Sequence, residues 1–94
     1  MANVVIRPSN GVTYGEIHTV TTEEESEGIT FQLRGITRNK VAAIVINDTQ
    51  GTVCDVTYPT DSDEYGTFSV AAADLTAGDQ LSVIAAPRVD AENL

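Results

Sequence analysis

His18 is the one histidine and Cys54 the one cysteine in 94 residues. Nucleophilic catalysis by serine or cysteine needs a base, so it would run through His18 or a carboxylate. His18 lies between Ile17 and Thr19 on an extended stretch, where an ordinary solvent-facing strand residue is the simpler reading. One Cys and one His fall short of the four ligands of a structural zinc site. Cys54 alternates in phase with Val56 and Tyr58, which predicts a buried small apolar side chain. Free cysteines are among the most buried residue types. A single cysteine also allows no internal disulfide.

The acids offer one further pattern. Asp61-Ser62-Asp63-Glu64-Tyr65-Gly66 has Asp at the first and third places and Gly at the sixth, like the opening of a calcium loop. The twelfth place falls on Ala72, which supplies no carboxylate, so only a looser calcium site at Asp61 and Asp63 stays open. The run Glu23 to Glu27 reads as a solvated, self-repelling loop. Paired carboxylates for glycoside cleavage need a groove and a fixed separation, which acids on loop tips seldom provide. No Gly-rich phosphate loop is present. No catalytic, cofactor-binding or metal-binding residue is assigned, and the chain reads as non-enzymatic.

Fourteen acids against five bases give a formal net charge of -9. Nucleic acid is therefore not expected as a partner, because phosphate binding needs clustered Lys and Arg. The nearest cluster is Arg34, Arg38 and Lys40, with Glu23 to Glu27 close in sequence. An anionic membrane surface would repel the chain for the same reason. No stretch approaches the roughly 20 apolar residues that span a bilayer. The start, Met1 to Pro8, has no basic region and only Val4-Val5-Ile6 as an apolar run, unlike a secretory signal. Synthesis in a cytosol is the expectation.

Holding any site in place is the task of one small core. A chain this short buries only about 60–65% of its unfolded surface. Thirty of the 94 residues are Val, Ile or Thr, types that favour strands. No window carries a helical apolar stripe of ten or more residues. Strands are predicted at Asn3–Arg7, Gly28–Gly35, Val41–Ile46, Thr52–Tyr58, Thr67–Ala71 and Gln80–Ala86, with a weaker stretch at Thr13–Thr21. Pro8 and Pro87 are expected to end their strands, and Arg88 to Leu94 to form a tail. Phe31, Leu33, Val45, Val56, Phe68 and Val83 are the expected core. Val41–Ile46 is apolar on both faces, which predicts a central strand covered from two sides. Parallel pairing is not expected, since no crossover helix is visible. The result is an all-β, antiparallel sandwich of six to seven strands.

Three segments then acquire a family likeness. Val45-Ile46-Asn47-Asp48 to Gly51-Thr52-Val53, Tyr65-Gly66-Thr67-Phe68-Ser69-Val70 and Leu75-Thr76-Ala77-Gly78-Asp79-Gln80-Leu81 together resemble bacterial and phage immunoglobulin-like domains. The likeness covers roughly residues 28–87 and consists of turns and alternation. The antibody-type Trp and second Cys are missing. At the corner, Asp74 is expected to cap a short turn and Gly78 to adopt a positive φ. The resemblance implies an immunoglobulin-like sandwich over 21–94, preceded by residues 1–20 as a first strand or as an arm for a neighbour's sheet. Small accessory proteins of phage heads look similar. This implies a virion structural protein, a capsid decoration or cement subunit, made in the host bacterial cytoplasm and bound to the major capsid protein or other virion subunits. Homo-oligomerisation fits that picture. A phage tail-associated protein, a bacterial surface or adhesin module, and a cytosolic binding module are the alternatives. Adhesin modules usually repeat in tandem behind an export signal, and no internal repeat is visible here.

Overall fold

Period-2 alternation decides which way each strand faces, and the burial of the side chains follows it. Strand β3 (Ile29–Leu33) buries Ile29, Phe31 and Leu33 and leaves Thr30 and Gln32 half-exposed. Strand β7 (Thr67–Val70) buries Phe68 and Val70, and β8 (Gln80–Pro87) buries Leu81, Val83 and Ala85. The remaining strands are β1 (Ala2–Ile6), β2 (Tyr14–Thr19), β4 (Val41–Asn47), β5 (Thr52–Cys54) and β6 (Val56–Thr57). In this computed structural model, described over residues 2–8 and 13–88, they form two four-stranded sheets in the orders β1-β3-β7-β6 and β2-β8-β4-β5. The inward residues of both sheets meet in one core, so the chain is sandwich-like and mostly β. Residues 9–12 and the expected tail beyond Arg88 lie outside the described residues.

Five of the six expected core residues are fully buried, and Val56 packs half-buried against them. The rings of Phe31 and Phe68 stack with centroids 5.1 Å apart at the cross-strand position where β3 meets β7.

Several expectations are corrected. Thr52–Tyr58 is not one strand. It breaks at Asp55, with β5 pairing to β4 in one sheet and β6 to β7 in the other. Eight strands therefore stand among the described residues, where six to seven were expected. Because of that break Tyr58 is exposed, although Cys54 is buried as its alternation predicts. Parallel pairing also occurs: β1 runs parallel to β3, Val4 opposite Phe31 and Ile6 opposite Leu33. The crossover that permits it is not a helix on the sheet. The chain leaves β1, forms β2 in the opposite sheet, and returns through a short helix. Pro87 does not stop β8 but forms its last pair, with Val41.

That helix, α1 (Thr22–Glu27), replaces the expected acidic loop. The Thr21 hydroxyl accepts from the Glu24 N–H at 3.2 Å, and the Glu24 carboxylate accepts from the Thr21 N–H at 2.8 Å. This reciprocal capping box offsets the mutual repulsion of the glutamates. Glu23, Glu24 and Glu25 also occupy the first turn, where the helix dipole favours acids.

Candidate functional site

Central strand β4 has two apolar faces, but only one is covered. Val41, Val45 and Asn47 point into the core, while Ala42, Ile44 and Ile46 point away from it. The register extends this outer face across the sheet. Ile17 of β2 lies opposite Ser82 of β8, Ser82 opposite Ile46, and Ile46 opposite Val53 of β5. One row along, Gly15, Ile84 and Ile44 stand in line. Ile17 is 71% exposed, Val53 72%, Ile44 56% and Ile84 52%. The strand positions on this face carry no charge, although the chain holds 19 charged side chains. Asp48 and Asp55 stand only where β4 and β5 end, and the Asp48 carboxylate accepts from the Ser82 hydroxyl. Beside the isoleucines lies a shallow hollow of about 230 Å³, lined by Thr13, Ala42, Tyr58 and Ala86 among others. Branched apolar side chains thus stand in water on all four strands of this sheet.

The residues singled out for chemistry go elsewhere. His18 faces inward on β2, opposite Leu81, and is not an ordinary solvent-facing residue. Its Nε2–H donates to Glu24 Oε1 and Oε2 at 2.8 and 2.9 Å, and its ring meets Phe31 edge-on at 6.1 Å. Burial pushes the Glu24 carboxyl upward, but the Thr21 N–H and the His18 pair outweigh it, holding the carboxyl below its ordinary value. With both oxygens engaged by His18 and Thr21, Glu24 ties α1 to β2. The Thr21-to-Glu24 spacing is the sequence signal that would have found the helix.

Asp61 caps a 3-10 turn over Ser62–Glu64, its carboxylate accepting from the Asp63 N–H at 3.0 Å. Among the described residues no three His, Cys, Asp or Glu side chains gather as a metal site. No helix among them is long and apolar enough to cross a membrane. Lys40 of the Arg34, Arg38 and Lys40 cluster places its ammonium 5.9 Å from the Tyr65 ring centroid. Burial, aided by Asp74, raises the Cys54 thiol above its ordinary value, which disfavours the reactive thiolate.

A buried polar clip escaped sequence reading. Asp79 Oδ2 accepts from Asn47 Nδ2 at 2.8 Å, from Gln50 Nε2 at 2.7 Å and from the Thr76 N–H at 3.2 Å. Asn47 also donates to the Asp74 carbonyl at 3.3 Å. These bonds join the β4–β5 turn to the corner before β8. Asp79, and not Asp74, caps that corner, while Gly78 takes the expected positive φ of 93°. The Asn47 bond leads in holding the Asp79 carboxyl below its ordinary value, against the opposing effect of burial.

No protein-family model, curated protein or solved structure matches this chain.

Proposed function

We propose that the chain is a non-enzymatic virion structural protein: a capsid decoration or cement subunit that attaches to and stabilises an assembled phage head. The observation that carries this reading is the largely apolar outer face of β2-β8-β4-β5, where Ile17, Ile44, Val53 and Ile84 stand in water. Such a face fits a domain whose work is contact with other proteins. His18 is bonded to Glu24 and Cys54 is buried, so neither supports a catalytic alternative.

The immunoglobulin-like type of the sandwich belongs to the same proposal. Its support is the turn after β4, the Gly66-Thr67-Phe68 opening of β7 and the Leu75–Asp79 corner into β8, in a chain folded as two sheets. On this reading the partners are the major capsid protein or other virion subunits, and the chain is made in the host bacterial cytoplasm. Its acidity argues against nucleic acid and anionic membranes as partners.

The test is mass spectrometry of purified virions from the phage that encodes the chain, together with sedimentation of its heads. The chain should be present in fixed proportion to the major capsid protein and should co-sediment with heads. Its absence from both would overturn the reading. Recovery from a bacterial surface fraction would replace it with the adhesin alternative.

A further inference from the structure

Helix α1 has no apolar side chain. It reads Thr-Glu-Glu-Glu-Ser-Glu, and the one side chain it buries is that of Glu24, 3% exposed. Isolated helices shorter than about 12–15 residues are marginal in water, and α1 has six. Burial of an apolar stripe, the usual remedy, is not open to it. Polar bonds therefore hold α1 against the sandwich. Both Glu24 oxygens accept from His18 of β2, at 2.8 and 2.9 Å, and Glu25 accepts from the Ala77 N–H at 2.9 Å. The Glu25 bond is exposed, whereas the Glu24 bond lies in a drier setting where a hydrogen bond is stronger.

The chain on either side is fixed more firmly. Before α1, Val20 is buried; its N–H donates to the Asp79 carbonyl and its carbonyl accepts from the Gly78 N–H, both at 2.8 Å. After α1, Ile29 is fully buried and pairs with Val70. Residues 21–27 are thus a strap between two anchors, closed by a buried carboxylate. The imidazole that Glu24 holds meets the edge of Phe31, whose ring stacks on Phe68 in the core. We propose that this strap is released by acid: protonation of Glu24 frees α1 from β2 and opens that end of the core, while the two sheets stay folded.

A carboxylate that gains a proton loses its charge-assisted bonds and part of its acceptor capacity. The His18 Nε2–H and the Thr21 N–H then compete for what is left, so the helix cap and the tether to β2 weaken together. The groups around α1 act differently. β1, which packs on α1, carries no titratable side chain; the 3-10 turn Ala72–Asp74 brings Asp74, and β2 adds Glu16, two residues from His18. Charging His18 would strengthen its bond to a carboxylate. Neutralising Glu23 and Glu27, four apart on the helix, would relieve repulsion and steady α1. Asp79 is the competitor, because its carboxyl also lies below the ordinary value and it holds the corner that anchors Val20. The Glu24 carboxyl lies below its ordinary value too, so the strap stays shut through mild acid and opens only below about 4.3.

Nuclear magnetic resonance of the intact chain, titrated from about pH 7 to about pH 3, tests the proposal. The heteronuclear NOE of the amides of residues 22–26 should fall as the strap opens. The Glu25 and Gly28 amides, which donate within the helix, should lose protection from exchange while Phe31 and Val83 keep theirs. Opening should grow by up to about tenfold per pH unit, as one bound proton requires. Glu24→Gln, the neutral isostere, should show the open strap already at neutral pH, with the Asn47 side-chain amide that donates to Asp79 unmoved. His18→Phe, which removes the tether from the β2 side, should do the same. Glu25→Gln keeps an oxygen for Ala77 and should follow the parent. A strap that stays ordered until all signals are lost together would overturn the proposal. So would a Glu24→Gln strap as ordered at neutral pH as the parent's, or an Asn47 amide that moves ahead of the strap, which would assign the response to Asp79. The release does not depend on what the outer face of β2-β8-β4-β5 contacts.

Discussion

The Tyr58 hydroxyl accepts from the Ala43 N–H at 3.0 Å and donates to the Ala43 carbonyl at 3.2 Å. One side chain thereby satisfies both backbone groups that Ala43 turns away from β8. The cause is the shortness of β5, which pairs only with Val45 to Asn47 and leaves the rest of that edge of β4 open. Tyr58 follows β6, in the opposite sheet, so this contact also ties the two sheets together at their rim.

Tyr58→Phe keeps the ring and removes both bonds. Urea unfolding should show a loss of about 0.5–1.5 kcal/mol. The freed edge should also raise light scattering on storage, because an open strand edge templates pairing with other chains. An unchanged midpoint with unchanged scattering would show that Tyr58 does not guard the edge.

Phe68 is fully buried and stacked on Phe31. Phe68→Ala should cost about 3–5 kcal/mol, a large share of the stability of a small domain. Denaturant titration at constant slope is the measurement, and a loss under about 1 kcal/mol would place Phe68 outside the core.

Gly66 and Gly78 both have positive φ, 89° and 93°, but differ in surroundings. A Cβ at Gly66 would collide with the Ile36 carbonyl oxygen, whereas one at Gly78 would enter open space. Gly78→Ala should cost the backbone penalty alone, roughly 1–2 kcal/mol, and Gly66→Ala clearly more. Equal losses in thermal unfolding would contradict the close approach of Ile36 to Gly66.

Glu24 and Asp79 both hold their carboxyl groups below ordinary values. The folded state then binds fewer protons than the unfolded chain. The stabilisation is fully present above the ordinary carboxylate values of about 3.9–4.3 and is lost as pH falls through the lower folded values. Thermal unfolding followed from neutral pH downward should show this acid limb, and Glu24→Gln should flatten part of it. An identical pH slope in the variant would mean that Glu24 does not contribute.

Cys54 should react slowly with a thiol reagent in the native protein and quickly in denaturant. It is buried, and its thiol is raised above the ordinary value, so both access and thiolate are scarce. Rapid native labelling would place the side chain at the surface.

Local alternation needs only the sequence, because side chains two apart on a strand share a face whatever the partner strand is. That is why Phe31, Leu33, Phe68, Val83 and Cys54 were legible as inward residues, and why the all-β class followed from Val, Ile and Thr content. The Thr21–Glu24 capping box was equally local, but the glutamates around it read as a repelling loop. Pairing was not legible, since it depends on contacts between residues far apart in the chain. Tertiary structure alone broke Thr52–Tyr58 at Asp55, laid β1 parallel to β3, brought His18 to Glu24 and closed the Asn47–Asp79 clip. It also decided the fate of the second apolar face of β4. The residues Ala42, Ile44 and Ile46 announce that something should cover them, but the arrangement of eight strands into two layers puts no third layer on that side among the described residues and leaves Ile44 exposed.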